Sequence, residues 1–154
     1  MRLAALALLL LAACSSTPQL TTSSGFSFAS FDSVVIAKPA TATDATLFGL
    51  DVDMANALGR YGLKVIGDRE LEGLKDDARA RTLVVRLALK GSGEKHVVTI
   101  SFDSAATGRT EATITAEAEG NLFDADSRRE AFEELRHAVL SRVARDKGLE
   151  YEED

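Results

Sequence analysis

The chain has one cysteine, two histidines, two prolines and no tryptophan among its 154 residues. One thiol has no partner within the chain, so no internal disulfide frames this fold and the core must come from apolar packing. His96 and His137 stand far apart in sequence, so the residue types that most often build metal centres and nucleophile–base pairs are scarce. Positive runs are scarce as well. Against 24 acidic residues there are 18 basic ones, a formal net charge of −6. That balance repels phosphate backbones and anionic lipid head groups, and excludes nucleic acid as an expected partner. No apolar run approaches the roughly 20 residues that a membrane-spanning helix requires.

An uninterrupted Leu/Ala run, Leu3 to Leu11, follows Met1-Arg2, and apolar character stops abruptly after Cys14 in Ser15-Ser16-Thr17-Pro18. Its length suits a secretory h-region and is too short to span a bilayer. Leu11-Ala12-Ala13-Cys14, which closes it, resembles the lipobox of bacterial lipoproteins. The resemblance implies cleavage before Cys14 and acylation of its thiol and new amine, with palmitate-type chains as a lipid anchor. Several acyl chains make such attachment effectively permanent. Ser15, rather than aspartate, follows the cysteine; by the same resemblance the protein is expected at the outer membrane, on its periplasmic face. Residues 1–13 are thus read as signal peptide. The Ser- and Thr-rich stretch 14–30 reads as lipidated cysteine plus flexible tether, with Phe26 and Phe28 alternating as an edge strand would.

Residues 31–148 have the size and pattern of one domain. Val34-Val35-Ile36, stopped by Pro39, predicts a first strand. Asp44 as N-cap, then Leu47, Leu50, Met54, Leu58 and Tyr61, predict a half-buried helix ended by Gly62. Lys64-Val65-Ile66 predicts a short strand and 68–81 a polar connector. The period then becomes two: Leu83, Val85, Leu87 and Leu89, next Val98, Ile100 and Phe102, next Ala112, Ile114 and Ala116. An antiparallel meander with one wet face follows. Ser127 to Glu130 has capping-box spacing, and Phe132, Leu135, Val139 and Val143 form the stripe of a closing helix stopped by Gly148. Residues 149–154 are an acidic tail, expected to fray.

The predicted fold is α+β, a two-layer sandwich with a mixed sheet of about five strands in the order β-α-β-β-β-β-α. Two amphipathic helices can cover only one sheet face. The other is expected to stay open, lined by Val84, Arg86, Ala88, Val97, Thr99, Ser101, Thr113, Thr115 and Glu117. From these Arg86, Thr99, Ser101, Thr113 and Thr115 are the candidate partner-binding residues.

Ser33 to Pro39, the helix ending in Gly62, the run Gly62 to Leu71, and Asp103 with Thr107-Gly108 between later strands together resemble a group of periplasmic domains. These are related to the N-terminal domain of the Tol-system propeller protein, to lipoprotein activators of penicillin-binding proteins and to the curli secretion lipoprotein. The resemblance implies a non-enzymatic envelope role in docking or assembly with other envelope proteins. The residues alone point the same way. Asp51 and Asp53 stand two apart on a helix and do not face each other, Asp124 and Asp126 suit helix capping, and Gly91-Ser92-Gly93 lacks the Gly-Lys of a phosphate loop. No catalytic residue, cofactor or metal is expected. The alternative is an envelope hydrolase whose carboxylates come together only in three dimensions.

Overall fold

The computed structural model describes residues 17–38, 40, 49–92, 95–119 and 125–152. Six strands, β1 (Gln19–Thr22), β2 (Ser33–Ile36), β3 (Lys64–Val65), β4 (Thr82–Ser92), β5 (Lys95–Ser104) and β6 (Thr110–Glu119), form one sheet. Among them run helices α1 (Leu50–Arg60), α2 (Asp68–Glu72), α3 (Asp76–Ala80) and α4 (Ala125–Lys147), with a 3-10 turn at Phe28–Ser30. The spatial order is β1-β6-β5-β4-β2-β3. β4, β5 and β6 are the antiparallel meander that period-two alternation predicted. β2 lies parallel to both β3 and β4, and α1 stands in the β2–β3 connection. The mixed α+β sandwich is therefore the fold, with one strand more than expected.

Both long helices lie on one face. Leu83, Val85, Leu87 and Leu89 of β4 share a continuous core with Val98, Ile100 and Phe102 of β5 and with Ala112, Ile114 and Ala116 of β6. Met54 and Leu58 of α1 and Phe132, Leu135, Val139 and Val143 of α4 complete it, as their spacing predicted. α4 buries more than that stripe. Leu140 and Ala144 are buried as well, widening the apolar face of a helix that packs on β6, β5 and α1.

The extra strand is β1, inside the stretch read as tether. It pairs antiparallel with β6, Leu20 opposite Ile114, and Leu20 packs against the core. One apolar residue among Gln19, Thr21 and Thr22 offers no alternation to read, so the partner supplies the strand. Past it, Phe28 is fully buried, its ring edge-on to Phe102 at 5.1 Å between centroids. The Phe26–Phe28 alternation is a turn rather than an edge strand, capped by Ser27 Oγ, which accepts from Ala29 N at 3.2 Å. Asp146 of α4 holds this turn. Its Oδ2 accepts the Phe28 N–H at 3.0 Å and its Oδ1 accepts Arg142 Nε at 2.7 Å. Lys147 Nζ donates to the Phe31 carbonyl at 2.9 Å beside it.

Gly62 and Gly148 end α1 and α4 with positive φ, closing the last turns through Leu63 N to Leu58 O and Leu149 N to Ala144 O. α4 starts at Ala125, two residues before the predicted cap. The tail is held as far as Glu152: the Tyr151 ring stacks on Tyr61 at 5.9 Å and meets His137 edge-on at 5.0 Å. Pro39, Asp44, Leu47 and Asp124 lie outside the described residues.

Two substitutions test this packing. Leu135 is fully buried, so Leu135→Ala is expected to cost ~2–5 kcal/mol in urea unfolding; a change below about 0.5 kcal/mol, the usual surface range, means the stripe does not face the core. Asp146→Ala strands the Phe28 N–H and frees Arg142, with an expected loss of ~1–3 kcal/mol. Hydrogen exchange at Phe28 should rise in that variant more than exchange across β5, and equal rises at both would dissociate Asp146 from the turn.

Candidate functional site

The second sheet face carries the residues singled out from the sequence, and strand register arranges them in rows. Arg86 is aligned with Ser101, Ser101 with Thr113, and Thr113 with Thr21 of β1. One step along, Ala88, Thr99, Thr115 and Gln19 form the next row. Thr99, Ser101, Thr113 and Thr115 are half-buried and Arg86 is exposed. None of the five belongs to the helix-covered core. The face is not open throughout. Val35, aligned with Val84, is 2% exposed, and Thr82 is fully buried with its hydroxyl 2.7 Å from that of Ser33 and donating to Ala78 O at 2.8 Å. Val84, expected in the open set, is half-buried at this margin. The accessible part runs from Arg86 across β5 and β6 to β1.

At the edge of that area a bulge organises the polar groups. Phe102 faces Ala112 but Asp103 faces Thr110, which leaves Glu111 without a partner opposite. Regular pairing would set Asp103 against Glu111, two carboxylates at cross-strand distance, which is destabilising. The bulge turns Glu111 towards the Ser23 hydroxyl, which donates to it, and brings Thr110 Oγ1 to Asp103 Oδ1 at 2.7 Å. Asp103 Oδ2 takes Arg86 Nε at 2.8 Å. The Asp103 side chain is 13% exposed and that of Arg86 55%, so the carboxylate is the fixed member and the guanidinium is held in one direction over the face.

The remaining candidates do not converge. His96 is buried on the core face opposite Gly91, and its Nε2 has no hydrogen-bond partner among the described residues. Gly91 is required there: with φ at 137°, a Cβ would lie 2.3 Å from the Lys95 carbonyl oxygen. His137 is exposed but engaged, its Nδ1 2.9 Å from Tyr151 Oη. Asp51 Oδ1 accepts from Gly49 N and Val52 N at 2.8 and 2.9 Å and so serves the start of α1, while Asp53 is exposed. Among the described residues no group of three or more His, Cys, Asp or Glu is placed to hold a metal ion.

A feature that sequence reasoning missed is a groove of about 950 Å³ where the start of β1 meets α4. Thr17, Pro18 and Leu20 form one side, and Arg129, Arg142 and Arg145 are among the α4 residues on the other. The signal existed only in part, as arginines recurring along the closing helix; which of them meet the N-terminal segment depends on β1, which the sequence did not disclose.

No protein-family model matches this chain, and no curated protein does. Among solved structures it is similar to the PelC dodecamer from Paraburkholderia phytofirmans in two crystal forms. For one, a point variant, identity is 19%, coverage 82% of this chain and 97% of that one, and the TM-score 0.48; for the other the values are 18%, 87%, 99% and 0.45. It is also similar to the lipoprotein GNA1162 from Neisseria meningitidis, at 13% identity, 73% and 96% coverage and a TM-score of 0.40. A bacterial lipoprotein thus stands among the structural neighbours. The relation to Tol-propeller and penicillin-binding-protein-activator domains that the sequence implied is not supported by these three. Cys14 lies outside the described residues, and among those described no helix is long and apolar enough to cross a membrane.

Asp103 offers the direct test of the bulge network. Asp103→Ala removes two hydrogen bonds, and with Arg86 half in solvent the expected loss is about 1–2 kcal/mol. Asp103→Asn, which can still meet Thr110, should lose less. Identical urea midpoints for the parent and both variants would mean that the network does not form in solution.

Proposed function

We propose that this chain is a lipid-anchored lipoprotein of the bacterial envelope that works without catalysis, as a binding or assembly module for other envelope proteins. Acylation at Cys14 supplies the anchor, and Ser15 after it directs the protein to the periplasmic face of the outer membrane. The binding surface is the open sheet face, with Arg86, Thr99, Ser101, Thr113 and Thr115 as its contacts.

The observation that carries this reading is the register of that face. Neutral hydroxyls stand in adjacent rows on three hydrogen-bonded strands, while the core lies entirely on the other side. Half-buried hydroxyls lose less on desolvation than charges do, and can re-form hydrogen bonds with a partner. Arg86, already oriented by Asp103, loses less side-chain freedom on binding than an unrestrained arginine, and arginine is enriched where interfaces bind tightly.

Two measurements examine the two halves of the proposal separately. Cys14→Ala should move the protein from the membrane to the soluble fraction of the envelope; retention on the membrane equal to the parent contradicts the anchor. Thr99→Glu with Thr113→Glu places two like charges on the middle of the face, where desolvation and repulsion oppose docking, with thermal stability changed little. Loss of the crosslinked envelope partners seen with the parent is the expected result. Recovery of the same partners in the same yield assigns binding to another surface.

A further inference from the structure

The groove between β1 and α4 lies where the chain departs towards Cys14. Only Ser15 and Ser16 separate Cys14 from Thr17, which lines the groove. At ~3.3–3.6 Å per extended residue, three steps of chain cannot carry Thr17 more than about 11 Å from Cys14. An acylated cysteine has its chains in the bilayer and its backbone at headgroup level. The Thr17 end of the groove is then held beside the headgroups, however the short link is arranged.

Its charge suits that position. Four arginines and two glutamates line it, in a chain whose formal net charge is −6. Arg136 is engaged by Glu133 at 2.7 Å and Arg142 by Asp146 at 2.7 Å. Arg129 and Arg145 are exposed and have no carboxylate partner among the described residues. A guanidinium is the side chain best matched to phosphate, which it binds in a planar, two-point fashion. Pro18, Leu20 and Tyr151 add apolar and aromatic surface between these charges, the mixture that settles at a membrane interface.

We infer that the β1–α4 groove docks on the lipid surface, with anionic headgroup phosphates meeting Arg129 and Arg145; this rests on the reading of Cys14 as a lipid anchor. Thr17, Arg129 and Arg145 line the same groove, so seating that groove on the bilayer sets both guanidiniums against the headgroups, where screening over about 8 Å leaves the attraction effective. The docking also orients the domain. Leu20 and α4 lie on the helix side of the sheet, so a groove set against the bilayer turns Thr99 and Thr113 away from it.

The test uses the acylated protein in vesicles of phosphatidylcholine, with and without partial replacement by phosphatidylglycerol. Because acylation occupies the one native thiol, Glu134→Cys places a single fluorescent label in the groove and Thr99→Cys a single label on the sheet face. A headgroup-attached quencher should quench the groove label far more than the sheet label, and more strongly with phosphatidylglycerol. Arg129→Gln with Arg145→Gln should reduce the ratio of docked to undocked orientations roughly twenty-fivefold, at about fivefold per arginine. Equal quenching of the two labels, or groove quenching indifferent to both arginines, overturns the inference while leaving the anchor intact. Mass spectrometry that finds Cys14 unacylated overturns the anchor reading, and the inference with it.

Discussion

The contact on which the architecture turns is the burial of Phe28 against Phe102 with its N–H bound by Asp146. It joins the N-terminal segment to the last turn of α4, 118 residues away in sequence. A buried backbone N–H must be satisfied, and here the satisfying group is a carboxylate already held by Arg142. Lys147 on the Phe31 carbonyl makes a second tie across the same junction. With 28–31 fixed in this way, the chain on one side enters β2 at the centre of the parallel half. On the other side it must run back along β6 as β1. The placement of residues 17–31 on the molecule therefore depends on this ring and this carboxylate together with the β1–β6 pairing.

That dependence explains which elements could be read from the sequence. The meander was legible because Leu83 to Leu89, Val98 to Phe102 and Ala112 to Ala116 alternate over long stretches and bury one face locally. α1 and α4 were legible from stripes at three and four. β1 was not, because Leu20 is its one inward apolar residue and its partner Ile114 is 94 positions on. The held tail was equally hidden. Tyr151 is ordered by Tyr61 and His137, residues of two different helical segments, and nothing within 149–154 announces that meeting. In each miss the decisive term is tertiary pairing that outweighs weak local preference.

The candidate face divides along the same line. Alternation placed Arg86, Thr99, Ser101, Thr113 and Thr115 on the side away from the helices, since facing direction follows from period two alone. The fixing of Arg86 by Asp103 and Thr110 was not legible, because it needs the one-residue offset at Phe102 and Asp103. Nor was the closure of the face at Val35 and Thr82. Alternation states where a side chain points and is silent on what lies above it.

Charge distribution then links the two surfaces. A chain of net −6 is repelled as a whole by an anionic bilayer, so a domain anchored as proposed above would have few orientations in which close approach is favourable. The neutral hydroxyl rows of the sheet face offer the lipid no attraction, whereas arginines gathered at the α4 groove beside Thr17 do. For a domain anchored as proposed, repulsion of the acidic remainder and attraction at the groove would act in the same sense, tilting the helix layer towards the membrane. On the reading proposed above, a seated groove would leave the sheet face directed away from the bilayer, so anchoring and binding need not compete for one surface.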